Sequence, residues 1–130
     1  MKLHRRYPPD DPREWLNRAR SNLSKAANSA PGVYLEDLCF DAQQAAEKAV
    51  KALLLARGVD FPYVHDLGLL LTLLEDAGQD VPEAIRQAEK LNPFATATRY
   101  PSIAQPVSEQ EYEESLGIAE AVVQWAEASL

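Results

Sequence analysis

The stretch from about Tyr34 to Arg57 constrains the fold most, because it reads as one long helix with two different apolar sides. One side, within about 40° of Ala42 on a helical wheel, carries Leu35, Leu38, Ala42, Ala46, Ala49 and Leu53. The opposite side carries the large apolar residues Phe40, Leu54 and Leu55 among polar ones. A helix that buries only one side does not need large apolar residues on the other. We therefore expect the far side to meet another helix of the chain, a second copy or a partner. The central helix of a bundle would show the same pattern.

Start and stop signals place this helix among others. Asp11 is a capping residue, Pro12 suits the first helical position, and Glu14 is expected to bond back to the cap amide. Pro31-Gly32 predicts the end of this first helix. Gly58 is placed to end the second helix in the left-handed conformation.

Two further helices are predicted after Gly58. The third begins near Asp66 and ends at Gly78, and the fourth, shorter helix runs from Pro82 to Asn92-Pro93. Residues 93–107 contain three prolines and are predicted to form a long loop.

The last helix has the clearest start signal in the chain. Ser108 and Glu111 form a capping box, with Val107 and Tyr112 at the positions of a hydrophobic staple. No strand pattern competes with these helices. The sequence therefore predicts an all-α fold, an antiparallel up-and-down bundle of four long helices plus one short helix.

Composition and charge narrow the function classes. The chain has 130 residues, enough for one domain with its own core, and a net charge of −7. Residues 109–130 carry six acids and no base, whereas residues 1–34 carry seven bases and three acids. The acidic total argues against loose binding of duplex nucleic acid through a broad basic surface but leaves room for a local basic site, and we expect no specific binding of duplex DNA. The asymmetry either steers a partner or places a basic helix beside an acidic one.

Several site classes are absent from the sequence. The single cysteine, Cys39, lies within a helical pattern and is expected to be a buried, inert thiol, which excludes disulfides and a cysteine-based zinc site. No metal-ligand spacing and no glycine-rich phosphate loop occur, so we expect no metal and no cofactor. No apolar run is long enough to span a membrane and no leader pattern is present, so a cytoplasmic location is expected.

A set of polar residues remains that could form a site. Its members are Gln44, Glu47 and Lys51 on the far side of the second helix, His65 and Asp66 before the third, and Arg99 and Tyr100 in the long loop. Lys51 and Arg99 carry charges that bind phosphate or carboxylate, and Tyr100 can stack or donate a hydrogen bond.

Five of these seven residues also have a purely structural explanation. His65-Asp66 can be a helix cap, and Glu47 with Lys51 is an i,i+4 ion pair in the favourable order. Arg99 can pin the loop to the acidic last helix.

Three segments in this order resemble the HEPN domain family. They are the run Gln43–Leu54, the sequence His65-Asp66-Leu67, and Arg99-Tyr100-Pro101 before an acidic last helix that contains Trp125. The resemblance covers residues 11–130 as one HEPN-like helical bundle domain, with residues 1–10 as an N-terminal tail. It implies a prokaryotic, usually dimeric helical bundle.

The resemblance also implies partners and activities. Such proteins are commonly encoded beside a minimal nucleotidyltransferase, several act as toxins of toxin–antitoxin pairs, and nucleotide binding was proposed for the family. Many members are metal-independent ribonucleases marked by an Arg, four to six residues, and a His. Here no histidine follows Arg99, and seven residues separate Arg57 from His65.

We therefore expect a non-catalytic subunit that forms a homodimer and binds a minimal nucleotidyltransferase, a nucleotide, or both. Phosphate and nucleotide contacts are assigned to Gln44, Glu47, Lys51, His65, Asp66, Arg99 and Tyr100, and an interface is assigned to Phe40, Leu54 and Leu55. The alternative is a ribonuclease toxin with RNA as substrate, using His65 as base and Arg99 to steady the phosphate. A plain structural adaptor is the third alternative.

Overall fold

The computed structural model describes residues 5–96 and 106–130, and all regular structure within them is helical. The α-helices are α1 (Pro12–Ala26), α2 (Leu35–Ala56), α3 (Leu67–Asp76), α4 (Glu83–Arg86) and α5 (Glu109–Ser129). A 3₁₀ helix, Gln87–Ala95, follows α4 directly. The predicted all-α bundle is confirmed, with α3 the shortest of its four longer helices.

Helix α2 is the central element, as its two apolar sides predicted. It packs most extensively on α1, then on α5, and also contacts the 3₁₀ helix and α3. Five of the six alanines of α2 are fully buried: Ala42, Ala45, Ala46, Ala49 and Ala52. Their small side chains let neighbouring backbones approach closely, while the leucines of α3 fill the space on the other side.

Most of the predicted caps are present. The side chains of Asp11, Asp66 and Ser108 each accept a hydrogen bond from the first turn of their helix, and Ser108 with Glu111 forms the complete capping box. Gly58 and Gly78 have φ of +67° and +95°, the left-handed conformation expected after a helix.

The first helix differs from its prediction at both ends. Glu14 does not bond back to the Asp11 amide; it accepts from the Tyr7 amide at 3.0 Å and from Arg18 Nε at 3.1 Å. Residues 5–10 fold back along α1. The Tyr7 amide therefore occupies the Glu14 carboxylate that was expected to accept from the Asp11 amide. The helix also ends at Ala26, well before Pro31-Gly32, where Asn28 and Ser29 favour a turn.

The segment after α4 also differs from its prediction. Asn92-Pro93 does not end the helical structure, because the 3₁₀ helix continues to Ala95 with Pro93 inside it. Leu91 and Ala95 are buried, and Asn92 accepts from the Leu67 amide at 2.9 Å. Tertiary packing therefore overrides the proline signal, and the predicted loop starts later than residue 93.

None of the described helices is long and apolar enough to cross a membrane.

Candidate functional site

A buried carboxylate on α2 organises the candidate site. Glu47 is only 4% exposed and accepts three hydrogen bonds. Its Oε1 accepts from Gln43 Nε2 at 2.9 Å and lies 2.8 Å from His65 Nδ1, while its Oε2 accepts from Lys51 Nζ at 3.0 Å. Gln43, Glu47 and Lys51 are spaced by four residues, which places them on one side of the helix. We name Glu47, Lys51, Tyr63 and His65 the His65 site.

The loop after α2 covers this side of the helix. Phe61 and Tyr63 place their rings 5.4 Å and 5.8 Å from Lys51 Nζ, and Phe61 meets the Trp15 ring edge-on with centroids 6.2 Å apart. An ammonium over aromatic rings is attracted to the partial negative charge of their faces. Lys51 is 6% exposed, and its charge is neutralised by Glu47. Its ammonium therefore contacts the loop and is not available to a ligand in solvent.

His65 is the part of the site that reaches solvent, with 41% of its side chain exposed. An ionised carboxylate can only accept hydrogen bonds, so the short contact with Glu47 places a proton on Nδ1. The other ring nitrogen, Nε2, makes no hydrogen bond within the described residues. The site therefore presents one free imidazole nitrogen in the same loop as Tyr63, which is 97% exposed and whose ring lies 5.8 Å from Lys51 Nζ.

The electrostatics of Glu47 reflect two opposing effects. Burial by itself raises the pKa of this carboxyl, but hydrogen bonds from Gln43, His65 and Lys51 outweigh it and leave the pKa below its ordinary value. Glu47 is thus ionised at neutral pH, and its charge is held by its partners instead of by water.

The structure brings together four of the predicted site residues and gives a fifth, Asp66, a different role. Gln44 joins the cluster through its hydrogen bond to Gln43 Oε1 at 2.7 Å, next to Glu47, Lys51 and His65. Asp66 acts as the cap of α3, accepting from the Leu69 amide at 3.2 Å and from Asn92 at 3.1 Å. Arg99 and Tyr100 lie outside the described residues.

The predicted interface residues on α2 have different environments. Leu54 is fully buried within the chain's own core, so its apolar side chain needs no second chain to cover it, which corrects its assignment to an interface. Phe40 and Leu55 are partly exposed. The two lie on the helix side that Gln44 shares.

Sequence reasoning missed three members of this cluster. Gln43 is fully buried, and its spacing of four from Glu47 was the available signal. Phe61 and Tyr63 flank Pro62 in a loop, and nothing local indicates that their rings fold over Lys51. Arg57 also proves separate from His65, because it donates to Gln79 Oε1 and to the Ala77 carbonyl.

Within residues 5–96 and 106–130 no group of histidine, cysteine and carboxylate side chains is arranged to hold a metal ion.

The chain is thus a small helical-bundle protein whose central helix holds a lysine and a histidine through one buried carboxylate. This chain belongs to the HEPN domain family, whose model matches residues 12–129.

Two solved structures resemble the chain over nearly their whole length. TT1696 from Thermus thermophilus is 38% identical, with a TM-score of 0.80 over 92% of this chain and 98% of that one. ST0689, described as an archaeal HEPN homologue, is 29% identical, with a TM-score of 0.74 over 92% of this chain and 97% of that one. No curated protein matches the chain.

Proposed function

We propose that this chain is a non-catalytic HEPN subunit that forms a homodimer, works with a minimal nucleotidyltransferase in a toxin–antitoxin pair, and binds a nucleotide at the His65 site. The observation that carries the proposal is the exposed pair of Tyr63 and His65 above the buried Glu47–Lys51 ion pair. An exposed aromatic ring held against an ammonium offers a flat face for a nucleobase, whose stacking contributes roughly 1–3 kcal/mol.

The imidazole supplies the polar contact in this arrangement. Its free Nε2 accepts a hydrogen bond when His65 is neutral and donates one to a phosphate when His65 is protonated. The structure also changes the role first expected for Lys51, since its ammonium is buried against Glu47. Lys51 contacts the rings of Phe61 and Tyr63. We therefore assign the phosphate contact to His65 and Arg99.

The non-catalytic interpretation rests on the arginine and histidine spacing and on the contacts of Arg57. The family's ribonuclease mark is missing from the sequence, and the one arginine that precedes His65 closely is engaged with Gln79 and Ala77. No arginine within the described part of the chain contacts His65.

Calorimetric titration with ATP, AMP and adenosine tests the nucleotide site. We expect binding by the wild type and a loss of about tenfold or more in affinity for Tyr63→Ala and for His65→Ala. Tyr34→Ala is the matched control, because Tyr34 is also exposed, at 72%, but lies at the other end of α2. Equal binding by all four proteins, or no binding by the wild type, would remove the nucleotide from the proposal.

The partnership is tested separately. Co-expression with a small nucleotidyltransferase encoded next to this chain, followed by affinity purification, is expected to recover both proteins together. Recovery of this chain alone would remove the transferase from the proposal without affecting the nucleotide result.

One observation favours a ribonuclease as the second candidate. Glu47 holds Nδ1 of His65, as a carboxylate does in a catalytic dyad, and leaves Nε2 for proton transfer. RNA incubated with the wild type, His65→Ala and Arg99→Ala discriminates the two functions. Cleavage that both substitutions abolish would establish the ribonuclease, and intact RNA in all three samples would eliminate it.

A further inference from the structure

Three cations form a row where α1 meets α2. Two of them, Arg18 and Lys25, lie on one side of α1 with the neutral Asn22 between them, because the three residues stand at i, i+4 and i+7. The side chains of Arg18 and Lys25 are 61% and 64% exposed. From α2, Lys48 Nζ reaches the middle of this line and donates to Asn22 Oδ1 at 2.7 Å. We name Arg18, Lys25 and Lys48 the cation row.

The carboxylates that accompany the cation row lie beneath it. Glu14, which accepts from Arg18, and Asp41, 3.3 Å from Lys25 Nζ, have side chains only 10% and 16% exposed. Lys48 is hydrogen-bonded to the Asn22 amide oxygen and to no carboxylate among the described residues. Burial first, and then the neighbouring Lys25 and Arg18, lower the pKa of the Lys48 ammonium. A molecule that approaches from solvent therefore meets an excess of positive charge.

A row of opposite charge lies on α5 with the same spacing. Glu113, Gly117 and Glu120 also follow at i, i+4 and i+7, and all three are exposed. We name these three the acid row. Neither glutamate has an ion pair among the described residues. A Cβ placed on Gly117 would meet nothing within 4 Å, so the middle of the acid row leaves room for another helix to approach closely.

Among the described residues no ion pair joins the cation row to the acid row of the same chain. Arg20, about 200° around α1 from Arg18, makes an ion pair of 2.7 Å with Glu127 of α5. Helix α1 therefore presents one side to α5 of its own chain and turns the cation row away from it.

From these observations we infer that the cation row of one protomer docks on the acid row of a second copy. In a two-fold symmetric dimer each protomer contributes both rows, so the contact is made twice. This inference rests on the homodimer in the proposed function and names the surfaces that form it. The matched spacing, the opposite charges and the open position at Gly117 favour a second copy over an unrelated partner.

Charge reversal tests the interface. One variant carries Arg18→Glu and Lys25→Glu, and the other carries Glu113→Lys and Glu120→Lys; light scattering and analytical ultracentrifugation report their oligomeric state. Each variant alone is expected to shift toward the monomer, with a dissociation constant raised about tenfold or more. An equimolar mixture is expected to recover the dimer, because both contacts then pair opposite charges. A merely destabilised monomer would not be rescued by mixing.

Controls separate this inference from dimerisation itself. Lys90 is 60% exposed, pairs with Glu114 and lies outside the cation row. The control variant Lys90→Glu is therefore expected to leave the dimer intact. If a reversal variant fails to fold, the neutral pair Arg18→Gln and Lys25→Gln replaces it, and its dimer is expected to respond less to salt than the wild type. Reversal variants that remain dimeric, a mixture that remains monomeric, or an unchanged salt response overturns the interface and leaves dimerisation standing. A monomeric wild type overturns both.

Discussion

At the scale of single residues, the candidate site depends on one buried charge. Glu47 is 4% exposed and Lys51 6%, so neither charge has water to stabilise it and each requires the other. Such a pair contributes little net stability compared with apolar residues of similar volume, but removal of one partner leaves an uncompensated buried charge. The pair is therefore better explained as a support for His65 and Tyr63 than as a source of stability.

Glu47→Leu is expected to lower the free energy of unfolding by roughly 3–5 kcal/mol, because it leaves the Lys51 ammonium buried without a counter-charge. The double variant Glu47→Leu, Lys51→Met is expected to regain most of this loss. Urea unfolding at pH 7 measures both. Glu114→Leu is the control, since its pair with Lys90 is exposed on both sides and contributes less than about 1 kcal/mol. A double variant no more stable than Glu47→Leu would contradict this account.

At the scale of helices and loops, the sequence predicted what local chemistry decides. Asp11, Asp66 and Ser108 begin helices because a cap acts within three residues of itself, and Gly58 and Gly78 end them by the same short-range rule. The end of the 3₁₀ helix could not be predicted from local sequence. Pro93 predicts an end at residue 92, but burial of Leu91 and Ala95 in the core keeps the chain helical to Ala95.

The candidate site was predictable only in part, for a related reason. Glu47 and Lys51 share a helix face and were found by their spacing of four. The contact of Glu47 with His65 spans 18 residues, and the approach of the Tyr63 ring to Lys51 depends on how a loop folds back. Long-range pairs of this kind have no periodic signal in a single sequence.

Gly117 is a second feature of the helix scale, because a glycine within a helix costs stability. It lies near the middle of α5, and an added Cβ would meet nothing within 4 Å. Gly117→Ala is therefore expected to raise the free energy of unfolding by roughly 0.5–1 kcal/mol. Gly58→Ala is the contrasting variant, since its φ of +67° strains any other residue and predicts a loss of about 1–2 kcal/mol. Thermal unfolding measures both variants in the Arg18→Glu, Lys25→Glu background, which lacks the proposed dimer contact at Gly117. We expect opposite signs for the two variants, and a destabilised Gly117→Ala there would contradict the prediction.

At the scale of the whole molecule, α2 connects two apolar clusters of unequal size. The larger cluster joins α1, α3, α5 and the segment after α3, and the smaller one consists of Leu38, Cys39 and Tyr112 with partly buried neighbours. In the smaller cluster the Tyr112 hydroxyl donates to the Ala26 carbonyl at 2.6 Å, so it connects α5 with the end of α1. This cluster also holds two groups whose pKa is raised above the ordinary value, Cys39 and Tyr112.

These raised pKa values give the molecule an expected alkaline limit. Burial raises the pKa of the Cys39 thiol to about 11, although a hydrogen bond with Ser115 partly opposes it. In the unfolded chain the thiol releases its proton from about pH 8.5, whereas the folded protein retains it. The unfolded state therefore binds fewer protons in this interval, and stability falls as pH rises from about 8.5 to 11, by roughly 3 kcal/mol from this group. Below about pH 8.5 its contribution is fully present.

Urea unfolding between pH 7 and 11 tests this limit by comparing the wild type with Cys39→Ala. We expect Cys39→Ala to be less stable at pH 7, because it leaves a small cavity, but to lose less stability on the way to pH 11 since it has no thiol to ionise. Tyr112→Phe removes the tyrosine hydroxyl, the other group with a raised pKa, and keeps the Cys39 thiol. This variant is therefore expected to show the part of the stability loss at high pH that Cys39 causes. If the wild type and Cys39→Ala lost stability in parallel up to pH 11, the thiol would not be held neutral by the fold, and the smaller cluster would be open to water.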